Sequence, residues 1–187
     1  NGVILALLGG DKDDAVGCKD AEAIRLFFDF GGSPGGTNIK ISKIYFEEAV
    51  SMNYDDADNL WKAVDEGSMF DAFGYYFAAG GDWHPIDYTE VKQSGNVYEL
   101  TLPAENGENQ WQAQFHIDTK LTASASKSYN FQFEIESDYD LPQVTMKLTD
   151  SGDSNFFLEE RNDVKADVPF VLKREGVTLK EDRKSVV

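Results

Sequence analysis

The 187-residue chain has little cysteine, histidine and positive charge, and each shortage excludes a class of protein. The single cysteine, Cys18, excludes an internal disulfide, and with only His84 and His116 beside it we expect no zinc site of cysteines and histidines. The 17 basic residues are outnumbered by 34 acidic ones, which gives a formal net charge of −17. Such a charge repels nucleic-acid phosphates, so we expect no nucleic-acid partner.

Long apolar runs are lacking as well. The run 2–9 is too short to span a bilayer, and we therefore expect no membrane insertion. This run resembles the apolar middle of a signal peptide but lacks a basic start, so it gives no direct cellular address. The chain also lacks the nucleophile elbow, the P-loop and the dinucleotide fingerprint, and we expect no required cofactor.

Aromatic residues and strict alternation are what the sequence has in abundance. Phenylalanine, tyrosine and tryptophan make up 13% of the chain, a composition that suits a sheet-rich interior. Alternating segments recur roughly every ten residues with turn-forming residues between them, which predicts an all-β fold, a two-sheet antiparallel β-sandwich (jelly roll). The predicted strands are 24–30, 37–46, 97–102, 111–119, 129–136, 144–148 and 155–164, and the best helix candidate is 57–66.

The predicted strand 111–119 carries the first candidate binding residues. It opens with Trp111, and its alternation places Gln112, Gln114 and His116 on one side. Amides and an imidazole donate to and accept from hydroxyl groups, and an aromatic ring packs against the C–H face of a sugar. The alternative is an edge strand whose polar side faces water, with Trp111 in the core.

Two further strands place a phenylalanine among charged residues on a polar face. Solvated faces seldom repeat this pattern, whereas it is typical of a platform on which sugar rings stack. The alternative is partial burial of the ring under a loop. The residues of these two strands are Arg25, Phe27, Asp29, Phe157, Glu159 and Arg161.

Several short motifs occur together over residues 59–182. They are Asn59-Leu60-Trp61, Gly81-Asp82-Trp83, Tyr98-Glu99-Leu100-Thr101-Leu102-Pro103, Gln110-Trp111-Gln112-Ala113-Gln114 and Asn155-Phe156-Phe157-Leu158-Glu159-Glu160. As a set they resemble a carbohydrate-binding module of the family 4/9 type, which occurs beside bacterial xylanases and glucanases. Residues 20–46 resemble the closing pair of strands of that family.

The order of these blocks departs from the family, because the closing strands come first here. We interpret the chain as a circular permutant, in which residues 47–58 connect the two positions that are the chain ends in the family's order. Such a connection is feasible because the two termini of a domain often lie close together. In the alternative, residues 1–50 are the tail of a preceding module, which would leave a long sheet edge exposed. We assign 20–187 to one carbohydrate-binding sandwich and leave 1–19 unassigned.

The resemblance implies a function as well as a fold. It implies non-catalytic binding of a plant cell-wall β-glycan in a groove on the concave sheet, with xylan first and β-glucan second. It further implies an attached glycoside hydrolase that the module targets to polysaccharide, and a secreted or cell-surface location. Tyr76 and Trp83 become candidate groove walls together with Trp111, whereas Trp61 is predicted in the core. Family members often hold a structural calcium ion, for which we assign no ligands.

Two other functions stay open at this point. One is a jelly-roll glycoside hydrolase that uses Glu134 and Glu136, which share one face of the strand 129–136. Neighbours on a face lie about 6.6 Å apart along a strand, a spacing compatible with paired catalytic carboxyls. The other is a surface scaffold domain, which would lack aromatic rings on its polar faces.

Overall fold

The fold is described from a computed structural model of the chain. It describes residues 19–50, 58–61, 69–77, 83–86, 90–104, 106–107, 109–150, 152 and 154–181. At 69–77, 83–86, 90–91 and 181 the description covers the backbone alone. The segment 1–18 and most of the predicted helix 57–66 lie outside the described residues.

Within these residues, twelve strands form two antiparallel sheets, which confirms the predicted β-sandwich. One sheet has seven strands in the order β12-β10-β9-β1-β7-β3-β4, and the other has five in the order β11-β8-β2-β6-β5. The described part of the chain contains no helix that is long and apolar enough to cross a membrane. The strands are β1 Ile24–Asp29, β2 Asn38–Glu48, β3 Met69–Phe77, β4 Trp83–Ile86, β5 Glu90–Ser94, β6 Val97–Thr101, β7 Ala113–Asp118, β8 Ser128–Ser137, β9 Leu141–Asp150, β10 Asn155–Val164, β11 Phe170–Thr178 and β12 Lys180–Glu181.

The first two strands lie in the middle of the two sheets. β1 pairs with β9 on one side and with β7 on the other, and β2 pairs with β8 and β6. Both strands are therefore integral to the sandwich, because removal of β1 or β2 would divide the sheet to which it belongs. The early position of these strands in the sequence thus coincides with a central position in the sandwich.

The core forms because one face of each central strand is apolar. Ile24, Leu26 and Phe28 of β1 have no exposed surface, and neither do Phe131 and Phe133 of β8 on the opposite sheet. The rings of Phe28 and Phe133 meet edge to face across the interior, with centroids 5.3 Å apart. Such a contact contributes about 0.5–1.5 kcal/mol beyond the burial of area.

The remaining inward residues follow the predicted alternation. Val144, Met146 and Leu148 of β9 are buried, and Trp61 is fully buried as predicted. Because the inward positions are fixed by these contacts, the residues between them must point away from the core. This fixes the composition of the outer face of each sheet.

A β-bulge in β10 interrupts the alternation. Phe156 pairs with Thr149 and Leu158 pairs with Leu148, so β10 has one residue more than β9 at this point. The extra residue is Phe157, which is buried and packs edge-on against the rings of Phe46 and Tyr129. The prediction that Phe157 shares a face with Glu159 and Arg161 is therefore wrong.

The bulge yields a prediction about stability. We expect Phe157→Ala to lower the free energy of unfolding by about 3–5 kcal/mol, because it removes a fully packed core ring. Phe156→Ala is the matched control, since this ring is half-buried on the outer face. We expect it to cost no more than about 1.5 kcal/mol. Urea unfolding of both variants measures the difference, and equal losses would contradict the assignment of the bulge.

Candidate functional site

The outer face of the seven-stranded sheet collects most of the predicted binding residues. This face, called the outer face below, comprises the outward side chains of β1, β7, β9 and β10. The backbone register aligns them in three rows that run across the strands. The rows are Arg161-Thr145-Asp29-Gln114, then Glu159-Lys147-Phe27-His116, then Phe156-Thr149-Arg25-Asp118.

The middle row places two aromatic rings beside a charge pair. The rings of Phe27 and His116 lie against each other, with centroids 4.5 Å apart and a tilt of 43°. On the other side of Phe27, the Lys147 ammonium lies 3.3 Å from the Glu159 carboxylate and 5.7 Å from the centre of the Phe156 ring. Phe27 is half-buried, so part of its ring remains accessible between polar neighbours.

Lys147 has little exposure for a lysine, with 9% of its side chain accessible. A charge in such a place is stable only when it is paired, and its contacts with Glu159 and Phe156 supply an anion and an aromatic face. The stem of Lys147 also covers sheet surface beside Phe27. The centre of the outer face thus consists of a paired charge packed beside aromatic rings.

The first row contains a buried carboxyl group. Asp29 is 8% exposed, and burial raises its pKa to about 6. Hydrogen bonding from the side chains of Thr145 and Gln114 and the charge of Arg161 act in the opposite direction, whereas the charge of Glu159 adds to the increase. The carboxylate therefore carries a desolvation cost that its neighbours only partly offset.

The third row is held by an ion pair. The Arg25 guanidinium donates to both carboxylate oxygens of Asp118, at 2.5 and 2.8 Å, directly across the β1–β7 pair. Both side chains are partly exposed, so the pair contributes mainly to the local geometry. It holds the Arg25 guanidinium against Asp118, in the row next to that of Phe27.

Gln112 does not belong to the outer face, which corrects the predicted row of Gln112, Gln114 and His116. The strand β7 begins only at Ala113, and Gln112 lies in a 3₁₀ helix, Gln110–Gln112. Its side-chain oxygen accepts hydrogen bonds from the backbone and side-chain nitrogens of Asn109, at 2.6 and 3.0 Å. Gln112 is 2% exposed and therefore has a structural role as a cap.

Trp111 lies in the same 3₁₀ helix, next to the end of the sheet at which β1 ends and β7 begins. Its side chain is 43% exposed, which is unusual for tryptophan, and so the alternative core position is excluded. Tyr76 and Trp83 lie on the paired strands β3 and β4, where Tyr76 is opposite His84. The side chains of Tyr76 and Trp83 lie outside the described residues.

Glu134 and Glu136, the candidate acids of a hydrolase, lie on the other sheet. Glu134 accepts hydrogen bonds from Lys43 Nζ at 2.8 Å, and Glu136 accepts one from Lys40 Nζ at 2.6 Å. Each carboxylate thus has its own cation, and neither is near Phe27. Across the described ranges, no three histidine, cysteine, aspartate or glutamate side chains are grouped so that they could hold a metal.

Five members of the outer face were not predicted as site residues, namely Thr145, Lys147, Thr149, Asp118 and Phe156. For the first four the signal was present, because the predicted alternation of β9 and β7 requires them to face outward. Phe156 could not be predicted, since only the bulge places it on this face. Regular alternation would have assigned it to the core.

Comparison with known proteins supplies no relative: no family model matches the chain, and no curated protein and no solved structure is significantly similar to it. The chemistry of the outer face must therefore be argued from its own residues. Its components are hydrogen-bonding side chains, rings at their centre, and one carboxyl group with a raised pKa.

The pKa of Asp29 yields a prediction of how stability depends on pH. A carboxyl whose pKa is raised from 3.8 to about 6 binds a proton more tightly in the folded than in the unfolded chain. Its contribution to stability is therefore most favourable below pH 4 and declines as the pH rises to about 6. We expect Asp29→Asn to remove this decline and to stabilise the protein by about 1–3 kcal/mol at pH 8.

The measurement is urea unfolding of both proteins between pH 4 and pH 8. Asp163→Asn serves as the control, because backbone and side-chain hydrogen bonds from Gln143 lower the pKa of Asp163. Because that pKa lies below 3.8, Asp163 is ionised in the folded protein throughout this range, and we expect Asp163→Asn to be less stable than the wild type by a nearly constant amount from pH 4 to pH 8, the opposite sign to Asp29→Asn. If the free energy of unfolding depends on pH in the same way in the wild type and in Asp29→Asn, Asp29 is not desolvated.

Proposed function

We propose that the protein is a non-catalytic module that binds a neutral β-glycan chain across the outer face of the seven-stranded sheet. One observation carries this proposal. A half-buried ring, Phe27, lies in the middle of a field of hydrogen-bonding side chains that four adjacent strands contribute. The location of these groups on paired strands makes the field rigid and its spacing regular.

The chemistry of the face suits a sugar. A pyranose presents hydroxyl groups around its edge and C–H groups on its faces, so it needs hydrogen bonds in the plane of the ring and an apolar contact above or below it. Gln114, which is half-buried, offers an amide donor and acceptor, and beside it lie the Thr145 hydroxyl group and the Asp29 carboxyl group, whose residues are only 4% and 8% exposed. Phe27 and Phe156 offer the apolar contacts, and both are half-buried.

The dimensions of the face suit an oligosaccharide. From β10 to β7 it spans three strand spacings of about 4.8 Å each, and the three rows extend over two intervals of about 6.6 Å. This area accommodates several sugar units of an extended chain. Neutral hydrogen bonds contribute about 0.5–1.5 kcal/mol each, and a stacked ring adds about 1 kcal/mol. We therefore expect affinities in the micromolar to millimolar range.

The biological setting of the proposal follows from the resemblance to family 4/9 modules. We propose xylan as the first ligand and β-glucan as the second. The partner would be an attached glycoside hydrolase, which the module brings to polysaccharide, and the location would be outside the cell or on its surface. The net charge of −17 favours a neutral ligand over an anionic one.

The first test is calorimetric titration of the protein with xylohexaose and cellohexaose. We expect Phe27→Ala and Gln114→Ala each to lower the affinity, with more than tenfold loss for Phe27→Ala because it removes the central ring. Gln132→Ala is the matched control for Gln114→Ala, since both glutamines are half-buried on strands, one in each sheet. An unchanged affinity in Phe27→Ala would exclude the outer face as the binding site.

A second prediction concerns Trp111, which is exposed in the 3₁₀ helix that precedes β7. We expect Trp111→Ala to lower the affinity more than tenfold while the unfolding curve remains close to that of the wild type. Quenching of its fluorescence by bound xylohexaose provides an independent measurement. If affinity and fluorescence are both insensitive, Trp111 lies outside the path of the glycan.

The same samples discriminate the other functions. A glycoside hydrolase releases reducing sugar from xylan or β-glucan, and Glu134→Gln and Glu136→Gln would abolish this release if those carboxyls were catalytic. A scaffold domain binds none of the glycans in affinity electrophoresis. Binding without the release of sugar is the result that the proposal requires.

A further inference from the structure

Four residues of the outer face mark the corners of a rectangle that spans three strands. Glu159 and Phe27 lie in the middle row, on β10 and β1, and Phe156 and Arg25 lie in the next row on the same two strands. The spacings of strands and residues give this rectangle sides of about 10 Å and about 7 Å. The two aromatic residues therefore lie on one diagonal, about 12 Å apart, and the two charged residues lie on the other.

The strand between these corners, β9, contributes almost no surface of its own. Lys147 and Thr149 are 7% and 1% exposed, so the accessible surface here belongs to their neighbours on β10 and β1. The Lys147 ammonium lies 5.7 Å from the centre of the Phe156 ring, and the centre of the Phe27 ring lies 4.5 Å from that of the buried His116 ring. Each phenylalanine thus covers a nearly inaccessible side chain, and the surface that it offers to a ligand lies away from that contact.

Ion pairs hold the two charged corners in place. Glu159 is paired with Lys147 at 3.3 Å and keeps 46% of its side chain exposed. Arg25 is paired with Asp118 and is partly exposed. A carboxylate accepts hydrogen bonds from hydroxyl groups and a guanidinium donates them, and bonds to a charged group are the stronger kind. Because both groups are already ordered, little further entropy is lost when a ligand meets them.

A β-1,4-linked chain of pyranoses matches this arrangement. Its linkages are equatorial, so an extended chain has C–H faces above and below and hydroxyl groups along both edges. In the flat form of such a chain each unit is turned over relative to the last, so units two apart present the same face to the same side. The diagonal of the rectangle is slightly longer than two such units. Chains with β-1,3 or α-1,4 linkages curve and therefore leave the line between the rings.

We propose that the glycan crosses the outer face along this diagonal as a flat β-1,4-linked chain, with Phe27 and Phe156 stacked on units two apart. Glu159 and Arg25 then lie at the two hydroxyl edges of the unit between them. This inference rests on the proposed function of the outer face and adds to it the linkage, the path and the shortest complete ligand, a trisaccharide. A disaccharide reaches only one ring at a time.

The experiment is titration of the whole chain with the xylose and cello-oligosaccharides of two, three, four and six units, followed by NMR chemical shifts so that millimolar affinities are measurable. A stacked ring contributes roughly fivefold to affinity. We expect Phe156→Ala to bind chains of three or more units about fivefold more weakly than the wild type. The disaccharides should change less than twofold, since they retain the Phe27 ring.

Matched variants and ligands control for indirect effects. Phe170→Ala removes a half-buried phenylalanine from β11 of the other sheet, and we expect it to bind every chain length like the wild type. Phe156→Tyr keeps an aromatic face and should bind like the wild type as well, whereas Phe156→Leu should not. Laminarihexaose, which is β-1,3-linked, and maltohexaose, which is α-1,4-linked, should bind more weakly than cellohexaose and should not respond to Phe156→Ala.

A second measurement uses the unaltered protein. In its complex with xylotriose, we expect nuclear Overhauser effects from the Phe27 ring to one terminal sugar and from the Phe156 ring to the other. This readout does not depend on the folding of any variant.

The outcomes separate the two proposals. If hexasaccharides bind but Phe156→Ala weakens disaccharides equally, or weakens no ligand, the diagonal path is wrong while the binding function stands. Contact of both rings with the same sugar or with adjacent sugars also overturns the path, and so does equal affinity for laminarihexaose and cellohexaose. If the folded protein binds none of these oligosaccharides, the proposed function itself fails.

Discussion

The pairing of β1 with both β7 and β9 is the constraint on which the rest of the structure depends. Its apolar residues form the centre of one wall of the core, so the register of the strand cannot slip without moving them into water. The same register aligns Arg25, Phe27 and Asp29 with their neighbours on either side. Core packing and the composition of the outer face are therefore two results of one alignment.

Most of the fold could be predicted from the sequence because regular strands with one buried face have alternating apolar and polar residues. The alternation around Phe28, Phe133 and Met146 identified the core side of three strands, and the structure buries all three residues. Phe157 and Gln112 were misplaced for a shared reason: each belongs to a local departure from the strand, a bulge in one case and a 3₁₀ turn in the other. Such departures depend on long-range pairing and have no period of their own.

The outer face combines groups that a stable surface would not need. Lys147 and Asp29 are both nearly buried there, although each would be better solvated in a fully exposed position. Only one of them has a strong counter-ion within the face, since Glu159 pairs with Lys147. Ionisable residues retained in unfavourable surroundings often mark a functional site, because selection for function opposes selection for stability there.

The bulge in β10 has a consequence for how this chain can vary. Because Phe157 is an extra residue opposite β9, a chain that lacked it would have a regular ladder from Phe156 to Asn162, with Phe156, Leu158 and Glu159 still paired with the same residues of β9. The interior would lose one ring, while the exterior would keep its layout. Loss or gain of one residue at this position thus changes the packing of the core without changing which side chains of β10 face outward. The strand can vary in length here while the outer face keeps its arrangement.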